Sequence, residues 1–244
     1  MLTLRGLIFT IVMYGAALIC SSLVVLLFWA PFSVRWVVAV SWARICLWAG
    51  DFFCGLKVST EGQENIPDEP CVFLIKHTTA LETYWQIAAL PPASWVLKRE
   101  LLLLPFFGWS LAVMKSIAID RKSRGAAVKQ VIKKGRAKLS SGISVCIFPE
   151  GTRMPPGETR RYGVSGAALA KEAGCPIVPV AHNAGDFWPK RGLRKYAGKI
   201  RFCIGPPIDP AGRQPRETNE FAQQWIESKM GEISRIYKER AHES

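Results

Sequence analysis

The sequence predicts an α/β fold, a mostly parallel mixed sheet flanked by helices, behind a hydrophobic amino-terminal helical membrane anchor. Three observations predict it. From about residue 57 onward, short apolar runs alternate with segments of helical period, the pattern of strands joined by helical crossovers. Between Gly6 and Ala30 there is no charged residue at all. No internal repeat or low-complexity stretch breaks the chain, so its 244 residues have one sizeable core to bury.

The uncharged run comes first, and about 20 apolar residues suffice to cross a hydrocarbon core. Arg5 precedes it as the basic region of a signal peptide would. The run is too long for such a peptide and no secreted cysteine framework follows, so it reads as a retained anchor. Pro31 interrupts it, and a second apolar segment, Val34 to Leu56, carries Arg35, Arg44 and Asp51 with Trp36, Trp42 and Trp48. Amphipathic rings and snorkelling arginines fit a headgroup layer; the alternative is that the tryptophans pack against the globular part. Arginines flank the first segment on both sides, so a re-entrant hairpin and a full crossing both fit, with the basic remainder facing the cytoplasm. Residues 1–56 are thus read as membrane-anchoring helices and 57–244 as the globular domain, after which Glu61 to Pro70 forms a polar break.

Strands are predicted at Cys71–Lys76, Ser94–Lys98, Ser116–Ile119, Ile143–Phe148, Ile177–Ala181 and Lys199–Ile204. The clearest helix, Ser123–Ser140, sets Val128, Val131, Ile132, Gly135 and Leu139 on one face, with Lys129, Lys133, Arg136 and Lys138 away from it. A carboxy-terminal helix from about Glu217 to Glu239 carries Phe221, Trp225, Ile226, Met230, Ile233 and Tyr237 on one stripe.

Charge narrows the partners. Lys and Arg number 32 against 19 Asp and Glu, a net charge of +13 that favours ligands bearing phosphate: nucleic acid, anionic lipid or a phosphorylated substrate. With 49% hydrophobic residues and nine Trp, the balance moves from nucleic acid to lipid. Seven cysteines form no Cys-x-x-Cys pair and read as buried free thiols of a reducing compartment.

Of the three histidines, His182 and His242 have no chemical context in the sequence, whereas His77 does. It follows the strand Cys71–Lys76, and Glu82 comes five residues later at the start of a helical run. A strand end followed by a helix start leaves the imidazole at the carboxyl edge of the sheet, where sites in open α/β folds gather. A carboxylate on one ring nitrogen fixes the tautomer that lets the other nitrogen take a proton from an attacking hydroxyl. A second motif, Phe148-Pro149-Glu150-Gly151-Thr152-Arg153, follows the strand at Ile143. Gly151 permits close backbone approach, and Arg153 offers a planar donor fork suited to phosphate. No Gly-x-Ser-x-Gly occurs, since Gly163-Val-Ser-Gly-Ala167 lacks the last glycine; a serine-centred acyl-enzyme is unsupported. Dinucleotide, P-loop and metal-ligand spacings are also missing from the sequence.

Together these residues resemble the glycerolipid (lysophospholipid) acyltransferase family in four blocks, in order, over roughly Lys57 to Gly205. His77-Thr-Thr-Ala-Leu-Glu82 matches His-x4-Asp. Lys98-Arg99-Glu100-Leu101 leads to Pro105 and Gly108, with Ile119-Asp120-Arg121 beyond. Phe148 to Arg153 is the third block, and Ile177-Val178-Pro179-Val180 the fourth. The resemblance implies the glycerolphosphate acyltransferase fold. It implies transfer of an acyl group from acyl-CoA or acyl carrier protein, as co-substrate and without a cofactor, to the free hydroxyl of a lysophosphatidic-acid-type acceptor at the inner membrane. Other acceptors, a lyso-ornithine lipid or glycerol 3-phosphate among them, satisfy the same motifs, and a non-catalytic lipid-binding protein is the reading from another class. By the same resemblance His77 is the general base and Glu82 stands in the place of the family's Asp, one methylene longer. Arg153, Glu150, Gly151 and Thr152 fall in the block that binds glycerol phosphate, Lys98 and Arg121 are further cations around that phosphate, and Pro179 falls in the block linked to acyl chain or donor.

Overall fold

The computed structural model describes residues 2–120, 124–189 and 192–243. Two long helices open it, α1 (Leu2–Leu26) and α2 (Phe32–Cys54), with Pro31 at the entry of α2, where its missing N–H costs nothing. Gly55 ends α2 at φ +69, its N–H donating to helix carbonyls, and the next residue already begins β1 (Leu56–Glu61). Hence no linker separates the expected anchor from the sheet. There follow β2 (Val72–Ile75), α3 (Leu81–Ala89), β3 (Ala93–Lys98), α4 (Phe107–Val113), β4 (Ile117–Ile119), α5 (Arg124–Leu139), β5 (Ser144–Ile147), α6 (Ser165–Ala173), β6 (Ile177–His182), β7 (Gly198–Ile204), α7 (Pro215–Ile233) and α8 (Arg235–Glu243).

The seven strands form one sheet in the order β1-β7-β6-β2-β5-β3-β4. Neighbours are parallel except β6 and β7, so β1 and β7 run against the other five and the sheet is mixed. Its faces are covered separately. On one lie α1, α2 and α3, through a layer that includes Phe9, Phe73, Trp85 and Phe202. On the other lie α5, α6 and α7, through Val131, Leu169, Ile226 and Met230. β2, β5 and β6 are buried along their whole length, as strands covered on both sides must be.

Both amino-terminal helices are long and apolar enough to cross a membrane, and they suit the chain to membrane association, yet one side of the pair is built into the fold. Phe9 meets Trp188 edge-on at 5.3 Å between ring centroids, Trp36 stacks on Trp95 at 5.7 Å and Trp42 meets Tyr84 edge-on at 5.2 Å. Arg35 is buried and donates from Nη1 to the Val113 carbonyl at 2.7 Å. The headgroup-layer expectation therefore fails for Trp36, Trp42 and Arg35, because fixed apolar and carbonyl partners on the domain capture them. It remains open for Trp48, which is 59% exposed beside Phe52.

Two other expectations change. The carboxy-terminal helix is two helices: at Ser234 the backbone is extended (φ −94, ψ 129), its hydroxyl donates to Asp186, and the same carboxylate accepts the Arg235 N–H that opens α8. Phe221 leaves the apolar stripe; it is 46% exposed beneath the Arg213 guanidinium. β1 is an edge strand whose alternating burial falls across the boundary drawn from the sequence.

Candidate active site

Five neighbouring strands, β6, β2, β5, β3 and β4, run parallel, so their carboxyl ends share one edge of the sheet. The residues that end or follow them are His182, Lys76 with His77, Phe148 to Arg153, Lys98 and Asp120. Topology thus brings together blocks that lie far apart in the sequence.

At the end of β2 the chain turns into α3 through Thr78 and Thr79. The Thr79 hydroxyl accepts the Leu81 N–H at 3.0 Å, while the Glu82 carboxylate reaches back to accept the N–H groups of Thr78 (2.9 Å) and Thr79 (2.8 Å). This is the reciprocal logic of a capping box, written as Thr79-x-x-Glu82. The same Oε1 accepts from His77 Nδ1 at 2.8 Å, and Oε2 accepts from the Thr79 hydroxyl. One side chain thus closes the helix start and meets the imidazole at the same time. Burial pushes the Glu82 carboxyl upward, but the flanking histidines and the Thr79 hydroxyl outweigh it and bring the pKa down to about 2. An ionised acid at Nδ1 requires hydrogen there, leaving Nε2 as the proton acceptor.

The turn after β5 grips His77 in three ways. The Phe148 ring stacks on the imidazole, centroids 3.9 Å apart and planes within 12°. Glu150 Oε2 accepts the His77 N–H at 2.9 Å, and the His77 carbonyl accepts the Met154 N–H at 2.8 Å. Gly151 sits at φ +69, a conformation costly for any residue with a Cβ, although a Cβ there would meet nothing within 4 Å. The turn's backbone thus gives this glycine a reason of its own, beside the close ligand approach expected from the sequence. Glu150 is almost fully buried and also pairs with Lys76 at 2.7 Å; its carboxylate holds the turn together.

A cavity of about 800 Å³ opens beside this assembly, within the range of small-molecule sites. His77, Phe148, Arg153 and Lys98 line its polar end. Its walls are mainly apolar and come from α1 (Met13, Leu18), α2 (Ala39, Trp42), α3 (Ile87), β3 (Leu97) and the segment between Leu101 and Met114. Arg153 is exposed, and Lys98 is 49% exposed with Glu100 at 3.5 Å. Glu150, Gly151 and Thr152 do not line the cavity. Pro179 lies inside β6, paired with Leu74, also away from the lining. Arg121 lies outside the described residues; its neighbour Asp120 pairs with Arg99 at 3.2 Å.

Two residues that the sequence reading passed over enter here. Lys76 is wholly buried, and a single lysine closing an otherwise apolar strand was the signal that it must be paired inside. His182, wholly buried at the end of β6, stands behind the acid, with Nε2 3.8 Å from Glu82 Oε2. Nε2–H donates to the Lys76 carbonyl at 2.8 Å and Nδ1 accepts the Ala184 N–H at 3.3 Å. Burial holds this imidazole below the ordinary histidine range, as its neutral, doubly bonded state requires.

Fold and site together define an acyltransferase. Residues 57–183 match the family model described as Acyltransferase, and the chain belongs to that family. Among known proteins it is similar to the 1-acyl-sn-glycerol-3-phosphate acyltransferase of Pseudomonas aeruginosa, 45% identical over 216 residues that cover 87% of this chain and 84% of the relative. It is 28% identical to the 1-acyl-sn-glycerol-3-phosphate acyltransferase alpha of Bos taurus, an alignment that covers 73% of this chain but 63% of that longer protein. The fold is shared with the crystal structure of the 1-acyl-sn-glycerophosphate (LPA) acyltransferase PlsC from Thermotoga maritima, at a TM-score of 0.79 and 20% identity over 95% of this chain and 97% of that one.

Proposed function

We propose that this protein transfers a fatty acyl group from a thioester to the sn-2 hydroxyl of 1-acyl-sn-glycerol 3-phosphate, giving phosphatidic acid. One observation carries the reading: an imidazole oriented by a buried carboxylate opens, beside an exposed arginine and lysine, onto an apolar cavity of acyl-chain character. Arg153 and Lys98 hold the acceptor's phosphate, which sets its hydroxyl against His77 Nε2. The hydroxyl oxygen attacks the thioester carbonyl as Nε2 takes its proton, and Glu82 stabilises the imidazolium. Collapse of the tetrahedral intermediate breaks the C–S bond, and the leaving thiolate takes the proton back from His77, releasing free thiol and ester. Acyl-CoA or acyl carrier protein serves as donor, and no cofactor takes part.

Residues 1–56 anchor the chain and residues 57–244 form the acyltransferase domain, facing the cytoplasm at the inner membrane. Several observations favour a hairpin lying in one leaflet over two crossings. Near both ends of α1, Phe9 and Val24 are buried in the globular core, Phe9 against Trp188. Their outward faces are apolar, with Ile11, Leu18, Ile19 and Trp48 exposed. Leu103, Leu104, Phe106 and Trp109, beside the cavity, are exposed as well and continue that surface. The purified protein, offered lysophosphatidic acid with each donor, is expected to release thiol and form phosphatidic acid. Flotation on liposomes without thiol release would instead leave only a lipid-binding protein.

A further inference from the structure

A second buried network lies behind His77, on the side away from the cavity. The Lys76 ammonium donates to Glu227 Oε1 at 2.8 Å and to the Glu158 carbonyl at 3.0 Å, and it stands in an ion pair with Glu150 Oε1 at 2.7 Å. Its side chain is 0% exposed, so it has no route to substrate. Glu227, on α7, also accepts from Thr159 (2.8 Å), Tyr162 (2.9 Å) and Tyr237 of α8 (2.9 Å). The other oxygen of Glu150 accepts the His77 N–H. A continuous line of ion pairs and hydrogen bonds therefore runs from α7 to the backbone of the proposed base. Buried polar groups linked in this way restrict one another's geometry.

We propose that Lys76 and Glu227 are positioning residues: through Glu150 they fix the peptide that carries His77, which makes the carboxy-terminal helices part of the catalytic apparatus without touching substrate. The proposal rests on the reading of His77 as general base, and it removes Glu150 from the acceptor's binding site. Two carboxylates share one ammonium here, so loss of Lys76 leaves them facing each other with no cation between, whereas loss of the Glu227 charge leaves a matched pair.

The test uses the full-length protein in detergent, with free-thiol release measured on lysophosphatidic acid and an acyl thioester. Lys76→Met is expected to lower kcat by roughly a hundredfold and Glu227→Gln by roughly tenfold, the scale of loss when a reacting group moves by about 1 Å, with KM for lysophosphatidic acid unchanged within about twofold. The double variant Lys76→Met/Glu227→Gln should be faster than Lys76→Met alone, because it removes one of the opposed carboxylates. Should Lys76→Met fail to fold, Glu227→Gln, nearly isosteric and partly exposed, carries the measurement. Unchanged kcat in Glu227→Gln overturns the proposal. So does a raised KM at unchanged kcat in Glu150→Gln, which would put that carboxylate on the acceptor. His77→Ala, assayed alongside, separates the two readings: an active His77→Ala removes the base, whereas an inactive one beside a fully active Glu227→Gln removes only the line from α7.

Discussion

Glu82 serves two masters, the helix start and the imidazole, and both depend on its length. His77→Ala is expected to end turnover, and Glu82→Gln to lower kcat by roughly a hundredfold to ten-thousandfold, measured at saturating substrates. Glu82→Asp is the sharper test. Glu82 Oε1 meets His77 Nδ1 and two backbone N–H groups at once, so the shorter acid should cost kcat while leaving KM for the acceptor in place. The acid also links to stability. Its folded pKa, about 2, lies below the ordinary glutamate value of 4.5, so its contribution is complete above about 4.5 and is lost as pH falls toward 2. Thermal midpoints of the unmutated protein and Glu82→Gln should differ most above that window and converge as acid is added. Arg153→Ala is expected to raise KM for phosphate-bearing acceptors, read from acceptor titrations at fixed donor.

Among elements, the turn after β5 concentrates the site's demands. Gly151→Ala forces a side chain into the left-handed region at a cost of roughly 1–2 kcal/mol, and relief of that strain moves Arg153 and the grip on His77 together. Both kcat and KM should suffer, as initial-rate kinetics would report. This turn and the His77 segment were legible in the sequence because their chemistry is local: Glu82 lies five positions after His77, and six consecutive residues make the turn. Lys76 and Glu227 were not, since 151 positions separate them and only the packing of α7 on the sheet makes them neighbours. The break at Ser234 was hidden for the same reason. Its cause is Asp186, a residue on another element, and the apolar stripe runs on past it. β1 escaped because an edge strand with one wet face looks like the polar segment beside it.

Taken whole, the alternation of runs disclosed the layered α/β arrangement, while the reversal at β6–β7 and the docking of α1 and α2 required tertiary contacts that no local pattern encodes. That docking bears on how the protein can be handled. Removing residues 1–54 would leave α3 as the sole helical cover on one face of the sheet, so such a truncation should aggregate rather than yield a soluble enzyme, as size-exclusion chromatography would show. The cavity makes its own prediction. Each methylene buried contributes about 0.8 kcal/mol, so within the length that fits, every carbon removed from the donor's chain should weaken binding roughly fourfold, seen as a graded rise in donor KM.

Because α1 supplies a wall of the cavity, the room left for a fatty chain depends on how firmly that helix is pressed home. The side chains that form that wall, Met13 and Leu18 among them, then become determinants of which chains are accepted.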